Sequence, residues 1–279
     1  MSFINSILNY FNYDFVRYAL LAAVFISIAA SLLGIPLVLK RFSFIGDGLS
    51  HTAFGAMAIA TVLKLSDCNL LVMPVTVICA IILLALNNYT KVKGDASLAI
   101  ISVTSMAFGY FLMNVKSTAA NVSGDVCSTL FGSTAIITLT KKDVLFSAVV
   151  CLIVVLLYVF YYHNIFAVTF DESFARSCGI NVTLYNFMIA IVTAVVIVMA
   201  MNFVGSLLIT ALVVFPPLAA MKVSDSFKKV IAVSALFAVI TSVLGVLISV
   251  VFSTPVGATI VLCQALSYIV FIIIKKLRK

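Results

Sequence analysis

VIAVSALFAVITSVLGVLISVVFSTPVGATIVLCQALSYIVFIII, residues 230–274, runs for 45 positions between Lys229 and Lys275 without a formal charge. A helix needs about 20 apolar residues to cross a bilayer, so this stretch is long enough for two crossings and a tight turn. Ser253-Thr254-Pro255 followed by Gly257 marks the turn, because such clusters break helices. A second stretch of 45 uncharged residues, between Arg176 and Lys222, is divided around Asn202 to Gly205. Shorter gaps follow the same rule: 22 residues between Arg17 and Lys40, 23 between Asp67 and Lys91, and 20 between Asp95 and Lys116. From Asp143 to Asp171 the gap is 27 residues, interrupted only by His163. The remaining span, Phe44 to Leu63, carries Asp47 and His51.

The reading is an all-α, polytopic membrane protein forming one transmembrane domain over residues 1–279. It has nine helices, or eight if 205–221 dips in and returns. At 64% hydrophobic and 9% charged, the composition is far from the quarter or so of charged residues in soluble domains. Continuous apolar runs exclude a β-barrel, whose strands alternate. A secretory leader is not expected, since no Lys or Arg comes before Arg17. Residues 1–14 read as an interfacial segment, with Phe3, Ile4, Ile7, Leu8 and Phe11 on one side, or as a frayed tail.

Basic residues orient the chain. With nine alternating helices and the C-terminus cytoplasmic, twelve of the seventeen Lys and Arg fall inside and five outside. The N-terminus is then outside. The five outside are Arg17, Lys64, Lys116, Lys141 and Lys142. The net charge of +8 is explained by cytoplasmic edges facing anionic lipid and needs no nucleic acid. The six cysteines are scattered singly, without CxxC spacing, which points to neither a disulfide framework nor a structural zinc site.

Catalytic and nucleotide motifs are missing. With one glutamate and two histidines, HExxH is impossible, and no GxxxxGK loop occurs. Gly46-Asp47-Gly48 lacks the third glycine and the strand of a dinucleotide fingerprint. An enzyme is therefore not expected, nor a permanently bound cofactor.

GDGLSH, residues 46–51, is the exception to the apolar pattern. Four residues apart, Asp47 and His51 share one helix face. A carboxylate at mid-helix costs roughly 2.5–3.5 kcal/mol on insertion scales, so such residues face cavities. Gly48, Thr52, Ala56 and Ala60 form a neighbouring small-residue stripe that permits close helix approach. A carboxylate with an imidazole suits zinc, manganese or iron. The same pair could equally be a local hydrogen bond, with Asp47 an N-cap.

Further along, Phe170 to Asn181 interrupts the apolar pattern with Asp171, Glu172 and Arg176. Phe174 and Ala175 can present an apolar side, and Gly179 fits a helix C-terminus. The segment is either a short amphipathic helix for a partner groove or a solvated loop. Gly205, Pro216 and Pro217 read as a kink or as a broken helix beside a translocation path. Asn114, Asn202 and Gln264 read as interhelical hydrogen bonders.

RFSFIGDGLSHTAFGAMAIA (41–60) resembles the signature of the membrane permeases of ATP-binding-cassette importers for zinc, manganese and iron. STLFGSTAIITLTKKD (128–143) is similar to that family's extracellular segment, FDESFARSCGINVTLYN (170–186) to its coupling loop, VGSLLITALVVFPPLAA (204–220) to its Pro-containing broken helix, and STPVGATIVL (253–262) to the start of its last helix. The matches run in order from about Tyr18 to Leu262. Asp-Gly at 47–48 looks more like the zinc branch.

The resemblance implies one chain of a homodimeric type II importer permease in a bacterial plasma membrane. Its implied partners are two copies of a separate cytoplasmic ATPase and an extracellular or periplasmic metal-binding protein. It gives Asp47 and His51 the role of metal-path residues. It makes 170–181 the coupling loop, with Asp171, Glu172, Phe174, Ala175 and Gly179 coupling the chain to the ATPase. The cargo it implies is zinc, with manganese or iron as alternatives. A secondary carrier or channel using the same pair is the competing function.

Overall fold

The computed structural model describes residues 13–65, 68–86, 94–116 and 139–277. The interfacial segment expected at 1–14, apart from its last two residues, and most of 128–143 lie outside the described residues, as do Lys91 and Lys93. Eleven helices are described: α1 Asp14–Leu39, α2 Ile45–Val62, α3 Asn69–Leu86, α4 Gly94–Lys116, α5 Lys141–Phe160, α6 Tyr162–Phe170, α7 Glu172–Ser177, α8 Val182–Val204, α9 Ser206–Val223, α10 Phe227–Phe252 and α11 Val256–Leu277. Among the described residues, six of them are long and apolar enough to cross a membrane, and two shorter apolar helices, Asn69–Leu83 and Leu208–Val223, accompany them. The chain is a multi-pass, all-helical membrane protein.

α1 is the axis of the bundle. Ala22, Ala23, Ile26, Ala29, Ala30 and Leu33 are all buried along it, and it packs against α5, α9 and α10. Its small residues let these neighbours in, most closely at Gly34. A Cβ there would lie 2.0 Å from the Val213 carbonyl oxygen of α9. Pro217 has no N–H to donate to that carbonyl, four residues earlier. The carbonyl instead lies against the bare Cα of Gly34, where C–H groups are weak partners.

The sequence offered a kink or a break at Gly205, Pro216 and Pro217. The break falls at Gly205 (φ 88°), a conformation glycine reaches without strain, between α8 and α9. Pro216 and Pro217 interrupt nothing, since α9 stays helical to Val223. Pro36 in α1 raises the same issue at its own i−4 carbonyl, Leu32. Tyr158 of α5 donates its hydroxyl to that oxygen. The turn at Ser253-Thr254-Pro255 is where the sequence put it: Ser253 is left-handed (φ 51°) and the Thr254 N–H returns to the Ser249 carbonyl at 3.1 Å.

The 27-residue gap before Asp171 is not one helix. α5 ends at Phe160, the chain bends at Tyr161, and α6 follows. Here α6 carries Phe166 and Phe170 against Phe227 at the start of α10, with ring centroids 5.2 and 5.9 Å apart.

α2 and α4 cross closely and run in the same direction. A Cβ on Gly48 would meet Leu98 Cδ2 at 3.0 Å, and one on Gly55 would meet the Ser105 carbonyl oxygen at 2.9 Å. These contacts generate a comparative prediction. Gly48→Ala gains about 1 kcal/mol of helix propensity and asks only a flexible Leu98 methyl to move, so thermal stability in detergent should change little. Gly34→Ala drives a methyl into a backbone oxygen and should lower stability by at least about 2 kcal/mol. Equal melting temperatures for the two variants would contradict this packing.

Candidate functional site

Asp47 lies in the first turn of α2, but it does not cap the helix. The N-cap is Phe44, whose side chain makes no cap hydrogen bond. Its carboxylate is used sideways instead. Oδ1 lies 3.2 Å from His51 Nε2, and Oδ2 accepts a hydrogen bond of 3.4 Å from the Ser102 hydroxyl of α4. The cap alternative for Asp47 therefore gives way to a side-chain pair bridging α2 and α4.

The pair is asymmetric in exposure: the Asp47 side chain is 46% exposed and that of His51 only 14%. Two cavities explain this. One of about 430 Å³ lies between the start of α2 and α9, walled by Asp47, Thr210, Phe215 and Val261. Another of about 210 Å³ lies between α2 and α4, walled by Asp47, Leu98 and Ser102. Asp47 faces both. α9 comes this close because Gly46 has no side chain, and a Cβ there would be 3.2 Å from the Thr210 Cα. Among the described residues, the buried Thr210 hydroxyl and His51 Nδ1 have no hydrogen-bond partner. Such groups cost free energy unless something else satisfies them.

Among the described residues no group of three His, Cys, Asp or Glu gathers here or elsewhere. The site is thus a two-ligand pair with two hydroxyls nearby. Ser102 and Thr210 were not singled out in the sequence. Thr52 and Ala56, on the small-residue face, are buried, and Thr52 returns its hydroxyl to the Gly48 carbonyl at 2.8 Å.

The 170–181 segment is a short helix, α7, with a built cap. Asp171 Oδ1 accepts from the Ser173 and Phe174 N–H groups at 2.9 and 3.0 Å. Gly179 at φ 80° ends it, and the Ile180 N–H closes onto the Ala175 carbonyl at 3.0 Å. Phe174 and Ala175 do not share one apolar side. Phe174 is 61% exposed, whereas Ala175 is fully buried beside Val168 and Val182. Glu172 points into the bundle, where Oε1 accepts from Lys40 Nζ at 2.8 Å and from Asn186 Nδ2 at 3.1 Å.

Burial alone would raise the Glu172 carboxyl. The hydrogen bonds from Lys40 and Asn186, with the charges of Lys40 and Arg176, outweigh it and hold the group below the usual carboxylate range. Burial pulls the Lys40 ammonium below its ordinary value, opposed by its bond and attraction to Glu172.

The family model described as the ABC 3 transport family matches residues 12–275. The chain is 30% identical over 245 residues to the high-affinity zinc uptake system membrane protein ZnuB of Buchnera aphidicola subsp. Acyrthosiphon pisum, covering 88% of this chain and 92% of the relative. It is 28% identical over 261 residues to the manganese import system permease protein ScaB of Streptococcus gordonii, covering 93% and 91%. A probable iron transport system membrane protein of Haemophilus influenzae is 27% identical over 268 residues, covering 95% and 96%. Among solved structures, PsaBC from Streptococcus pneumoniae in complex with Fab superposes with a TM-score of 0.82 at 28% identity, over 96% of this chain and 95% of that one.

The Glu172 environment sets a pH dependence. A carboxyl held low in the folded state contributes stability that is present above its unfolded value and lost as pH falls through the lowered one. Glu172→Gln should therefore melt below wild type in detergent near neutral pH, and the difference should close on acidification. With Glu172 one-third exposed, solvent screening keeps the gap modest. A difference that persists unchanged in acid would show that the ion pair is not its source.

Proposed function

The chain belongs to the ABC 3 transport family, and from that we propose that it is the membrane-spanning permease of an ATP-driven divalent-metal importer. Asp47 and His51 are the side chains that meet the ion. The observation carrying this reading is the pair itself: a carboxylate on the wall of two cavities with an imidazole 3.2 Å behind it, on an otherwise uncharged helix. A cation entering there would displace the Asp47–His51 hydrogen bond: with the ring proton moved to Nδ1, Nε2 and the Asp47 carboxylate are both free to hold the metal. The carboxylate supplies charge, and the neutral imidazole supplies a donor suited to borderline ions.

Zinc is the proposed cargo, supported by the imidazole and by the likeness to a zinc uptake permease. Manganese and iron, carried in the names of other relatives, are the comparison ions for any assay. Two side chains do not complete a zinc shell, which is usually four-coordinate. Water and a second copy of the chain, with its own pair, supply the rest, and the half-exposed Asp47 is consistent with a homodimeric pore. Family membership argues against a carrier driven by an ion gradient. ATP is hydrolysed by a separate cytoplasmic ATPase that docks on α7, where Phe174 projects. A metal-binding protein delivers the ion from outside.

The chain crosses a bacterial plasma membrane nine times, with the N-terminus outside and the C-terminus inside. Supporting this, nine of the described helices have 18 residues or more, and the basic residues divide twelve to five.

In cells at limiting zinc, Asp47→Asn and His51→Ala should each lower uptake at least about tenfold, the scale on which metal contacts act, at normal protein levels. Wild-type uptake by both variants would overturn the assignment. For the topology, cysteines placed at 176 or 225 in a cysteine-free version should react with an impermeant thiol reagent only after permeabilisation. Labelling of either in intact cells would reverse the orientation.

A further inference from the structure

Glu172 is the only glutamate in the sequence, and its carboxylate turns away from the exposed face of α7. It meets Lys40, the residue that caps the C-terminus of α1, and Asn186 in the second turn of α8. Lys40 Nζ reaches Glu172 Oε1 at 2.8 Å and Asn186 Oδ1 at 2.6 Å, while Asn186 Nδ2 reaches Glu172 Oε1 at 3.1 Å. The three side chains close a triangle, with Lys40 only 12% exposed and Asn186 buried.

What the triangle joins is more informative than the pairing itself. Lys40 begins the turn into α2, and that turn is tight. Arg41 is left-handed (φ 63°), the Phe42 N–H returns to the Leu37 carbonyl at 2.8 Å, and Phe42 and Ile45 are buried. Little slack separates Lys40 from Asp47. Asn186 lies on α8, which leads through Gly205 to α9 and Thr210, on the opposite wall of the cavity that Asp47 faces. The apolar contacts of α7 form a small cluster around Ala175, Val168 and Val182, apart from the main core. A charge-assisted pair with a second hydrogen-bonding partner fixes direction as well as distance, which a greasy contact of that size does not.

We propose that Lys40 and Asn186, with Glu172, are the positioning residues that carry movement of α7 to the first turn of α2, and so to the Asp47–His51 site. This rests on the permease reading above. On this view Glu172 does not contact the ATPase, and the docking face and the transmitting face of α7 are different surfaces. Glu172 and Ala175 look inward; Phe174 looks outward.

The test uses the permease co-purified with its ATPase in proteoliposomes, with the metal-binding protein that delivers the ion added, measuring radioactive zinc taken up per ATP hydrolysed. Wild-type vesicles must first show ATP-dependent uptake. If they take up the ion without ATP, or take up none of zinc, manganese and iron with it, the permease reading fails and the link falls with it. Given ATP-driven uptake, the informative variant is Lys40→Met/Glu172→Met, because removing both charges together leaves no unpaired charge to unfold the protein. The expected result is a complex that still isolates with its ATPase but takes up about tenfold less zinc per ATP, a typical coupling magnitude. Asn186→Leu, which keeps the ion pair, should show a smaller loss in the same ratio. The swapped pair Lys40→Glu/Glu172→Lys should recover more of the ratio than either single reversal. Wild-type zinc per ATP in Lys40→Met/Glu172→Met would overturn the proposal. So would loss of the ATPase from that complex, which would make Glu172 a docking residue.

Discussion

Hydrocarbon offers no hydrogen bonds, so every polar group that the chain carries into the bilayer must find its partner inside the protein. The helices answer most of that demand themselves, and the departures from regular helix show how the rest is met. Pro36 leaves the Leu32 carbonyl without its intrahelical donor, and a tyrosine hydroxyl from α5 takes the place. Pro217 does the same to Val213, whose oxygen is received against Gly34 of α1. Both repairs tie α1 to a neighbour. The helix at the centre of the bundle is therefore also the one on which backbone satisfaction converges.

The same demand acts on Asp47 with more force, because a carboxylate carries a full charge. His51 and Ser102 answer part of it, at 3.2 and 3.4 Å, and the cavities leave the rest of the carboxylate open. A residue that served only to hold α2 against α4 would be closed on all sides, as Thr52 is by its bond to the Gly48 carbonyl. Asp47 is held in place but left unsaturated. That suits the proposed ion pathway, which needs binding favourable enough to enter and weak enough to leave.

How much of this could be read in the sequence varies with the range of the interaction. Charge spacing located the long apolar helices, because a formal charge inside the bilayer is expensive and gaps between charges are visible in one dimension. The breaks at Gly205 and Ser253–Pro255 were legible because they use residues with their own backbone preferences. The bend at Tyr161 was not, since it carries neither Gly nor Pro and interrupts an apolar run without a charge. The pairing of Asp47 with His51 was legible because their spacing is local to one helix. Ser102 and Thr210 were missed. Hydroxyls in membrane helices commonly bond back to their own backbone, so nothing distinguishes a Ser that reaches a carboxylate 55 residues away. The Lys40–Glu172 pair spans 132 positions, and the one available hint was that the chain holds a single glutamate. The paired reading of Phe174 and Ala175 failed because adjacent residues on a helix point about 100° apart.

The contacts around α2 are unequal in a way that bears on how the site works. Toward α4 the helix is locked by close approaches at both ends, Gly48 to Leu98 and Gly55 to Ser105, with the Cα of Gly55 3.1 Å from where a Gly109 Cβ would stand. Toward α9 the contact is tight at Gly46 and Thr210, and beside it the wall opens into about 430 Å³. At Gly55 and Gly109 the approach is to backbone rather than to a flexible side chain, and packing of that kind resists sliding. α2 and α4 are therefore held as a pair. The face toward α9 has room to change, and that helix starts at a glycine whose backbone can rotate. Asp47 sits on the seam between the locked side and the open one. A small displacement of α9 would alter what the carboxylate faces without disturbing its bonds to His51 and Ser102.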